Sequence, residues 1–219
     1  MELQEGIETR RSTRAFKSTP IPKDVIEKIL ETAGKSPSYA NTQPWEVAVV
    51  CGQKKEEISN LLYEMGKSGA TMTPDIPHPQ TWPPELERRS KEHGTRRLQT
   101  LGIDRADTEQ REASTLTNYK FFGAPCVLFL FTDELIPWSI YSMGLFSQSL
   151  ILTAHSHGVS SCQQAWVANY PDKVRRFLGI PETKKLVIGI SLGYPDMEAR
   201  ANTYRSTRVD MKDFVRWYA

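Results

Sequence analysis

The sequence predicts an α+β fold in which residues 1–219 form a single domain. Three apolar, β-branched or aromatic runs bounded by turn residues alternate with segments of helical periodicity, and this mixture is typical of helices packed on a sheet. A chain of 219 residues with 39% hydrophobic residues is long and apolar enough for one sizeable core. No repeat of fixed period is present to suggest a solenoid.

The first predicted element is a helix that begins at Pro22 and ends at Gly34. Strands are predicted at 45–52, 124–133 and 186–195, because each run is bounded by turn residues. The second strand has almost no polar alternation, which indicates a central strand buried on both faces. The helix has one apolar face, formed by Val25, Ile26, Ile29, Leu30 and Ala33.

Two further segments differ in polarity. Between Met143 and Ala154 the chain is apolar nearly all round, which predicts a helix buried inside the domain or at a subunit interface. The region from about 66 to 117 is rich in proline and charge instead. That composition indicates a polar surface excursion followed by polar helix, not a second core.

Composition also limits the compartment and the partners. A formal net charge of +2 is small for a protein that binds nucleic acid, so we expect no nucleic-acid partner. No apolar run is long enough to cross a membrane, and the first residues lack the pattern of an export signal. The odd count of three cysteines, without a C-x-x-C pair, favours neither disulfides nor structural zinc. We therefore predict a cytoplasmic protein that does not bind membranes.

Several catalytic patterns fail on inspection. Residues 189–193 spell G-x-S-x-G, but a hydrolase of that type needs a later histidine, and none follows His157. His155 and His157 are two residues apart on a predicted helix, where they cannot share a metal. No glycine-rich phosphate loop is present either. We predict no metal ligand and no catalytic acid or base, and any bound phosphate must be held by side chains.

The stretch Arg-Arg-Ser-Thr-Arg at residues 10–14 has two interpretations. Arginine forks and a serine hydroxyl suit a dianionic phosphate, whereas a solvated arginine face is the structural alternative. Two other segments favour the phosphate site. Residues 36–45 form a polar loop held between prolines and able to bind the edge of a planar heterocycle, and residues 204–218 add Arg205 and Arg208 before a final amphipathic segment.

In this order, the segments resemble the FMN-dependent nitroreductase family, whose relatives include the iodotyrosine deiodinases and the flavin-cleaving enzyme of vitamin B12 synthesis. The resemblance covers nearly the whole chain. Residues 10–16 match an R-R-S-x-R-x-F element, and residues 37–45 match a P-S-x-x-N-x-Q-P-W loop. Residues 208–211 are similar to a family segment in which an arginine comes just before the start of a helix.

The resemblance implies a nitroreductase-like fold. In that fold a central mixed, largely antiparallel β-sheet is surrounded by helices, and FMN lies at a homodimer interface. The segment after Gly158 would be a loop facing the flavin edge and N5. The implied cofactor-binding residues are, for the phosphate and ribityl end, Arg10, Arg11, Ser12, Arg14 and Arg208; from the partner subunit, Pro37, Ser38, Tyr39 and Asn41; and at the ring edge, Cys162, Gln163 and Gln164. Arg205, three residues before Arg208, is a further candidate for cofactor binding.

The implied activity follows from the cofactor. NADH or NADPH would reduce FMN, and hydride from flavin N5 would then pass to nitroaromatics, quinones or similar electron-poor compounds in a ping-pong cycle. Two alternatives stay open at this stage. One is a specialised relative that performs reductive dehalogenation, flavin cleavage or dehydrogenation. The other is a non-enzymatic protein that uses its arginines to bind flavin or nucleic acid.

Overall fold

The computed structural model describes residues 1–218 of the chain. Helices and strands alternate irregularly along it, and the longest helix has 20 residues, Pro137–Ser156. The helices are α1 (Leu3–Thr9), α2 (Lys23–Ala33), α3 (Gly52–Lys67), α4 (Pro84–Leu101), α5 (Thr108–Leu116), α6 (Pro137–Ser156) and α7 (Pro171–Leu178), and the strands are β1 (Glu46–Cys51), β2 (Cys126–Thr132), β3 (Ser160–Gln164) and β4 (Lys185–Gly193).

The four strands form one sheet in the order β1-β2-β4-β3. All three pairings are antiparallel, and the parallel component is a single bridge between Ser12 and Ser161. All seven residues of β2 are buried, as the unbroken apolar run predicts for a central strand. The predicted α+β fold with a largely antiparallel sheet is confirmed.

The sheet separates two apolar clusters, because successive side chains of β2 point to opposite faces. On one face the strand packs against α2 and α6, and on the other it packs against α3 and α7. The first cluster includes Cys126, Leu128, Leu130, Ile29, Phe146 and Leu150. The second includes Val127, Phe129, Phe131, Ile58, Leu62 and Val174.

The helix predicted around residues 143–154 is confirmed as part of α6. Met143, Phe146 and Leu150 are buried against the sheet. The opposite face keeps Leu145 and Leu152 half-buried in the single chain. A helix that is apolar all round therefore leaves one apolar face incompletely covered.

The charged segment forms α4 and α5, neither of which buries a residue. Exposed ion pairs along α4, such as Arg88 with Glu85 and Lys91 with Glu87, keep this helix polar. No helix within residues 1–218 combines the length and the apolarity needed to cross a membrane.

The helix start that the resemblance implies near residues 208–211 is present only as a short turn. Met211–Asp213 form a single 3-10 turn, and Lys212 N donates to the Asp210 carboxylate at 3.0 Å. No helix or strand follows it within the described residues, and Phe214 and Trp217 are 67% and 84% exposed. The final segment thus carries aromatic side chains that find no cover within the described chain.

Candidate functional site: an arginine-lined cavity

A cavity of about 880 Å³ lies between the segment after α1, the start of β3 and the segment after β4. We call it the arginine cavity. The predicted phosphate-end residues meet here although they come from opposite ends of the chain. Its polar lining consists of Glu8, Thr9, Arg10, Arg11, Ser12, Arg14, His93, His155, Ser160, Ser161, Tyr204, Arg205, Ser206 and Arg208.

The segment after α1 is held in an extended form along the edge strand β3. Ser12 forms a parallel bridge with Ser161, and Thr13 N donates a hydrogen bond to Ser161 O at 2.9 Å. Phe16 then pairs with Pro195 beyond the end of β4. Gly193 permits this approach, because a Cβ there would lie 2.9 Å from the Phe16 ring. The arginines are therefore positioned by backbone pairing on a rigid sheet.

Asn202 joins the two ends of the chain at the cavity, a role that no sequence pattern indicates. Its side-chain oxygen accepts from Arg14 N at 2.7 Å, and its amide nitrogen donates to Ala15 O and Asp196 O, each at 2.7 Å. The side chain is only 5% exposed, so all three bonds are shielded from water. Asn202 fixes the position of Arg14 relative to the segment that carries Arg205 and Arg208.

The guanidinium groups differ in how far they are already bonded. Arg205 donates to Asn202 O at 3.0 Å, and Arg208 donates to Ser206 Oγ at 2.8 Å. Arg14 makes only a long bond to Ser12 O, at 3.4 Å. The Arg10 side chain has no hydrogen-bond partner among residues 1–218 and is half-buried. Arg10 therefore has its full donor capacity free to bind an anion.

The field in the cavity is strongly positive. Desolvation, then the nearby charge of Arg208, lowers the pKa of Arg10. Desolvation, followed by Arg14 and other arginines, lowers the pKa of His93, and desolvation with Arg10 lowers the pKa of His155. Within residues 1–218 no carboxylate forms an ion pair with the five cavity arginines. Five guanidinium groups outnumber the one carboxylate of the lining, that of Glu8, and a concave site with this excess of positive charge fits a dianionic phosphate, as FMN carries.

The α4 helix of the charged segment reaches this cavity. His93 Nδ1 and the Tyr204 hydroxyl are 2.9 Å apart, and Arg96 donates to Thr207 Oγ1 at 2.9 Å. Sequence reasoning assigned the segment to the surface and missed this contact. A histidine and an arginine spaced three apart on a charged helix gave no indication of a distant partner.

The ring-edge residues proposed from the resemblance do not line the arginine cavity. The predicted loop is wrong at this point, because residues 160–164 form β3. Cys162 is 2% exposed, and burial raises the pKa of its thiol. Gln163 is exposed on the strand but lies outside the cavity lining. The residues that do reach the cavity lie just upstream and are Gly158, Val159, Ser160 and Ser161.

Gln164 has a structural role inside the domain. Its amide nitrogen donates to Asn118 O at 3.0 Å, and its oxygen accepts from the buried Ser191 hydroxyl. Both ends of the amide are therefore used in the core. Ser191, the serine of the G-x-S-x-G pattern, is likewise a core residue of β4 and not an exposed nucleophile.

The loop with Pro37, Ser38, Tyr39 and Asn41 lies away from the arginine cavity of its own chain. Tyr39 N donates to Ser142 Oγ at 3.1 Å, and the Tyr39 ring stacks on Trp138 at 4.8 Å. Both partners belong to the first half of α6, whereas His155, which lines the cavity, lies near its end. Thirteen residues of helix at 1.5 Å each separate them by roughly 20 Å.

This loop has a fixed and unusual backbone. Ala40, Asn41 and Gln43 all have positive φ, of 48°, 56° and 46°. Ser38 Oγ accepts from Gln43 N at 3.0 Å and so closes the turn. A left-handed run of non-glycine residues costs free energy and persists only where the surroundings hold it. The loop is therefore pre-organised, with the Tyr39 ring 53% exposed.

The fold and the cavity define a class of protein: an α+β domain with an arginine-lined cavity beside its sheet. Comparison with known proteins identifies the family. Residues 7–194 match the pattern of the nitroreductase family. The chain belongs to this family.

Named relatives match over nearly their full length. Nitroreductase NfnB of Mycolicibacterium smegmatis is 34% identical over 213 residues, covering 96% of this chain and 90% of the relative. A 4-nitrobenzoate reductase of Pseudomonas putida is 33% identical over 210 residues, covering 95% and 92%. The crystal structure of the FMN-dependent nitroreductase NfnB from Mycobacterium smegmatis in complex with NADPH superposes with a TM-score of 0.95 at 33% identity, covering 99% and 97%.

Proposed function

We propose that the protein is an FMN-dependent oxidoreductase that transfers a hydride from NADPH or NADH to nitroaromatics and similar electron-poor compounds. The observation that carries the proposal is the arginine cavity, a cationic site without paired carboxylates in residues 1–218. Its chain shares the fold of an FMN-dependent nitroreductase in complex with NADPH at a TM-score of 0.95. Relatives named as 4-nitrobenzoate reductases support a nitroaromatic oxidant.

In this proposal the phosphate of FMN is held by Arg10, Ser12 and Arg208. Arg10 has free donors and is half-buried, so its bond to a phosphate oxygen forms in a site partly shielded from water. Arg208 presents a second fork, oriented by Ser206. Arg11, Arg14 and Arg205 line the same cavity and add positive charge towards the ribityl chain.

When bound, FMN supplies the hydride-carrying centre for the reaction. The chain binds the phosphate, orients the ring and contributes a positive field. That field stabilises negative charge close to Arg14, whose backbone is fixed by Asn202. We assign no catalytic acid or base to the chain, because the hydride transfer is the chemistry of the cofactor.

We also propose that the active form is a homodimer with flavin sites shared between subunits. A two-fold axis beside α6 would bring the first half of that helix in one subunit against the second half in the other. The loop with Ser38, Tyr39 and Asn41 would then reach the arginine cavity of the partner subunit, across the roughly 20 Å that separates the two within a chain. The half-buried Leu145 and Leu152 would be covered in the same interface.

The same proposal takes residues 1–219 as one domain and the cytoplasm as its compartment. A reducing compartment suits the chain because Cys51, Cys126 and Cys162 are all free thiols.

Anaerobic stopped-flow spectroscopy tests the function. The FMN-loaded protein should bleach on mixing with NADPH or NADH, and the reduced form should recover its absorbance when mixed with 4-nitrobenzoate or a quinone. Arg176→Ala, which removes an exposed arginine far from the cavity lining, is the matched control and should behave as the unmodified protein. If neither nucleotide bleaches the flavin, the protein is a passive flavin-binding protein and the proposal is wrong. Reoxidation by halophenols alone would indicate reductive dehalogenation instead. Breakdown of the flavin during the reaction would indicate flavin cleavage.

A further inference from the structure

Two thiols face each other outside the flavin site. Cys51 ends β1 and Cys126 begins β2, and the two residues are direct partners in the antiparallel register. Their Sγ atoms are 2.7 Å apart, and both are free. Directly opposed residues in an antiparallel pair have Cα atoms about 4.5 or 5.5 Å apart, and both distances lie within the range that a disulfide spans.

The pair opens to solvent on one side. Cys51 is exposed, whereas Cys126 is 1% exposed. A surface cavity of about 360 Å³ includes both residues together with Gly52, Lys55 and Pro125. It shares no lining residue with the arginine cavity. A small reagent can therefore reach Cys51 without passing through the flavin site.

The two sulfurs are chemically unequal. Cys51 is the N-cap residue of α3, a position where the helix dipole favours a thiolate. The neighbouring Cys126 thiol lowers the pKa of Cys51, and the ammonium group of Lys55 lowers it further. Hydrogen bonding to Cys51 and burial raise the pKa of Cys126. Cys51 is therefore the accessible thiol that loses its proton more readily, and Cys126 is the buried thiol that keeps it.

We propose that Cys51 and Cys126 form an oxidation site that hydroperoxides convert to an intramolecular disulfide. The Cys51 thiolate attacks one peroxide oxygen, the O–O bond breaks, and Cys51 becomes a sulfenic acid while the peroxide leaves as water or an alcohol. The Cys126 sulfur then attacks the Cys51 sulfur. Its proton leaves with the sulfenic hydroxyl as water. In total, two thiols are oxidised and one hydroperoxide is reduced by two electrons.

The geometry makes the second step short. The sulfurs must approach by about 0.7 Å to reach the bond length of a disulfide. The strand pairing already fixes both backbones, so no segment needs to unfold first. The bond would close a loop across 75 positions of sequence. Because cross-links over long loops restrict the unfolded chain, the oxidised protein should melt at a temperature higher by about 5–10 °C.

Intact-protein mass spectrometry and thiol titration test this proposal on the full-length, FMN-loaded protein without NADPH. One equivalent of hydrogen peroxide should lower the mass by about 2 Da and remove two of the three titratable thiols, and dithiothreitol should restore both. Peptide mapping should find Cys51 linked to Cys126. The Cys162→Ser variant is the matched control and should lose the same two thiols.

Three variants separate the steps. Cys51→Ser, at an exposed position, should retain both remaining thiols, and Cys126→Ser should stop at a sulfenic acid on Cys51 that dimedone traps. Lys55→Gln should reach the same product about two- to tenfold more slowly. A gain of about 32 Da at Cys51 without a cross-link would overturn the proposal. So would a cross-link between two chains, or three unreacted thiols after peroxide that oxidises free glutathione.

Discussion

Replacing Arg10 by alanine separates binding of the cofactor from stability of the fold. Arg10 is half-buried, has no side-chain partner among residues 1–218, and has its pKa lowered by desolvation and by Arg208. In the protein without FMN its loss removes no hydrogen bond and relieves repulsion between two guanidinium groups. We therefore expect the free energy of unfolding of the apoprotein to stay the same or to rise slightly.

The FMN affinity should change in the opposite direction. A charge-assisted hydrogen bond contributes about 1.5–3 kcal/mol, so its loss should weaken binding about 10- to 150-fold. Arg10→Lys keeps the charge but not the planar fork, and its affinity should be intermediate. Fluorescence titration of FMN with the apoproteins measures the dissociation constants, with Arg176→Ala as the control for a lost surface charge. A dissociation constant for Arg10→Ala within twofold of that for Arg176→Ala would refute the assignment.

Three further results are expected. Asn202→Ala should lower the free energy of unfolding by about 2–4 kcal/mol, because three backbone groups lose a buried partner. Denaturant unfolding measures this free energy, and a decrease below about 1 kcal/mol would show that the contact between the chain ends is dispensable. FMN binding should raise the pKa of His93, because the phosphate offsets the positive charge of Arg14. An NMR titration measures this pKa with and without FMN, and an unchanged or lower pKa with FMN would show that the phosphate does not lie near His93. Deleting the chain from Asp210 onward should weaken both dimerisation and FMN retention, since the exposed Trp217 needs apolar cover; sedimentation of a truncated dimer with flavin fully bound would remove the tail from the interface.

The lowered pKa of His93 also fixes the direction of a pH effect. The folded protein binds protons at His93 less readily than the unfolded chain, whose histidine pKa is about 6.5. This contribution to stability is present above pH 6.5 and is lost as the pH falls through the folded pKa. Bound FMN should lessen the loss, because it moves the two pKa values closer together.

The sequence predicts the centre of the sheet well, because a strand buried on both faces is an unbroken run of apolar residues. β2 is buried at every residue, and its run of apolar side chains shows this without any tertiary information. The strand β3 cannot be recognised in this way, since Ser-Ser-Cys-Gln-Gln has neither an alternation of apolar and polar residues nor β-branched residues. It is a strand because β4 and Ser12 pair with it. Gln164 can be buried there only because Ser191 and Asn118 bond its amide.

Some residues of the candidate site could be predicted from the sequence, and others could not. The cavity arginines were found from their residue type and from the resemblance, and the structure brings all five together with Ser12. Asn202 and His93 were missed, because their roles depend on partners 188 and 111 positions away in sequence. An asparagine in a polar loop is usually a turn residue, and only the folded chain shows that this one is buried.

A crystal structure of the protein with FMN would show where the cofactor binds. We expect the phosphate in the arginine cavity, with guanidinium nitrogens of Arg10 and Arg208 about 2.7–2.9 Å from its oxygens. We also expect Tyr39 and Asn41 of the partner subunit to contact the same flavin. A phosphate bound elsewhere would refute the assignment of the cavity, and a flavin enclosed by one chain alone would refute the shared site.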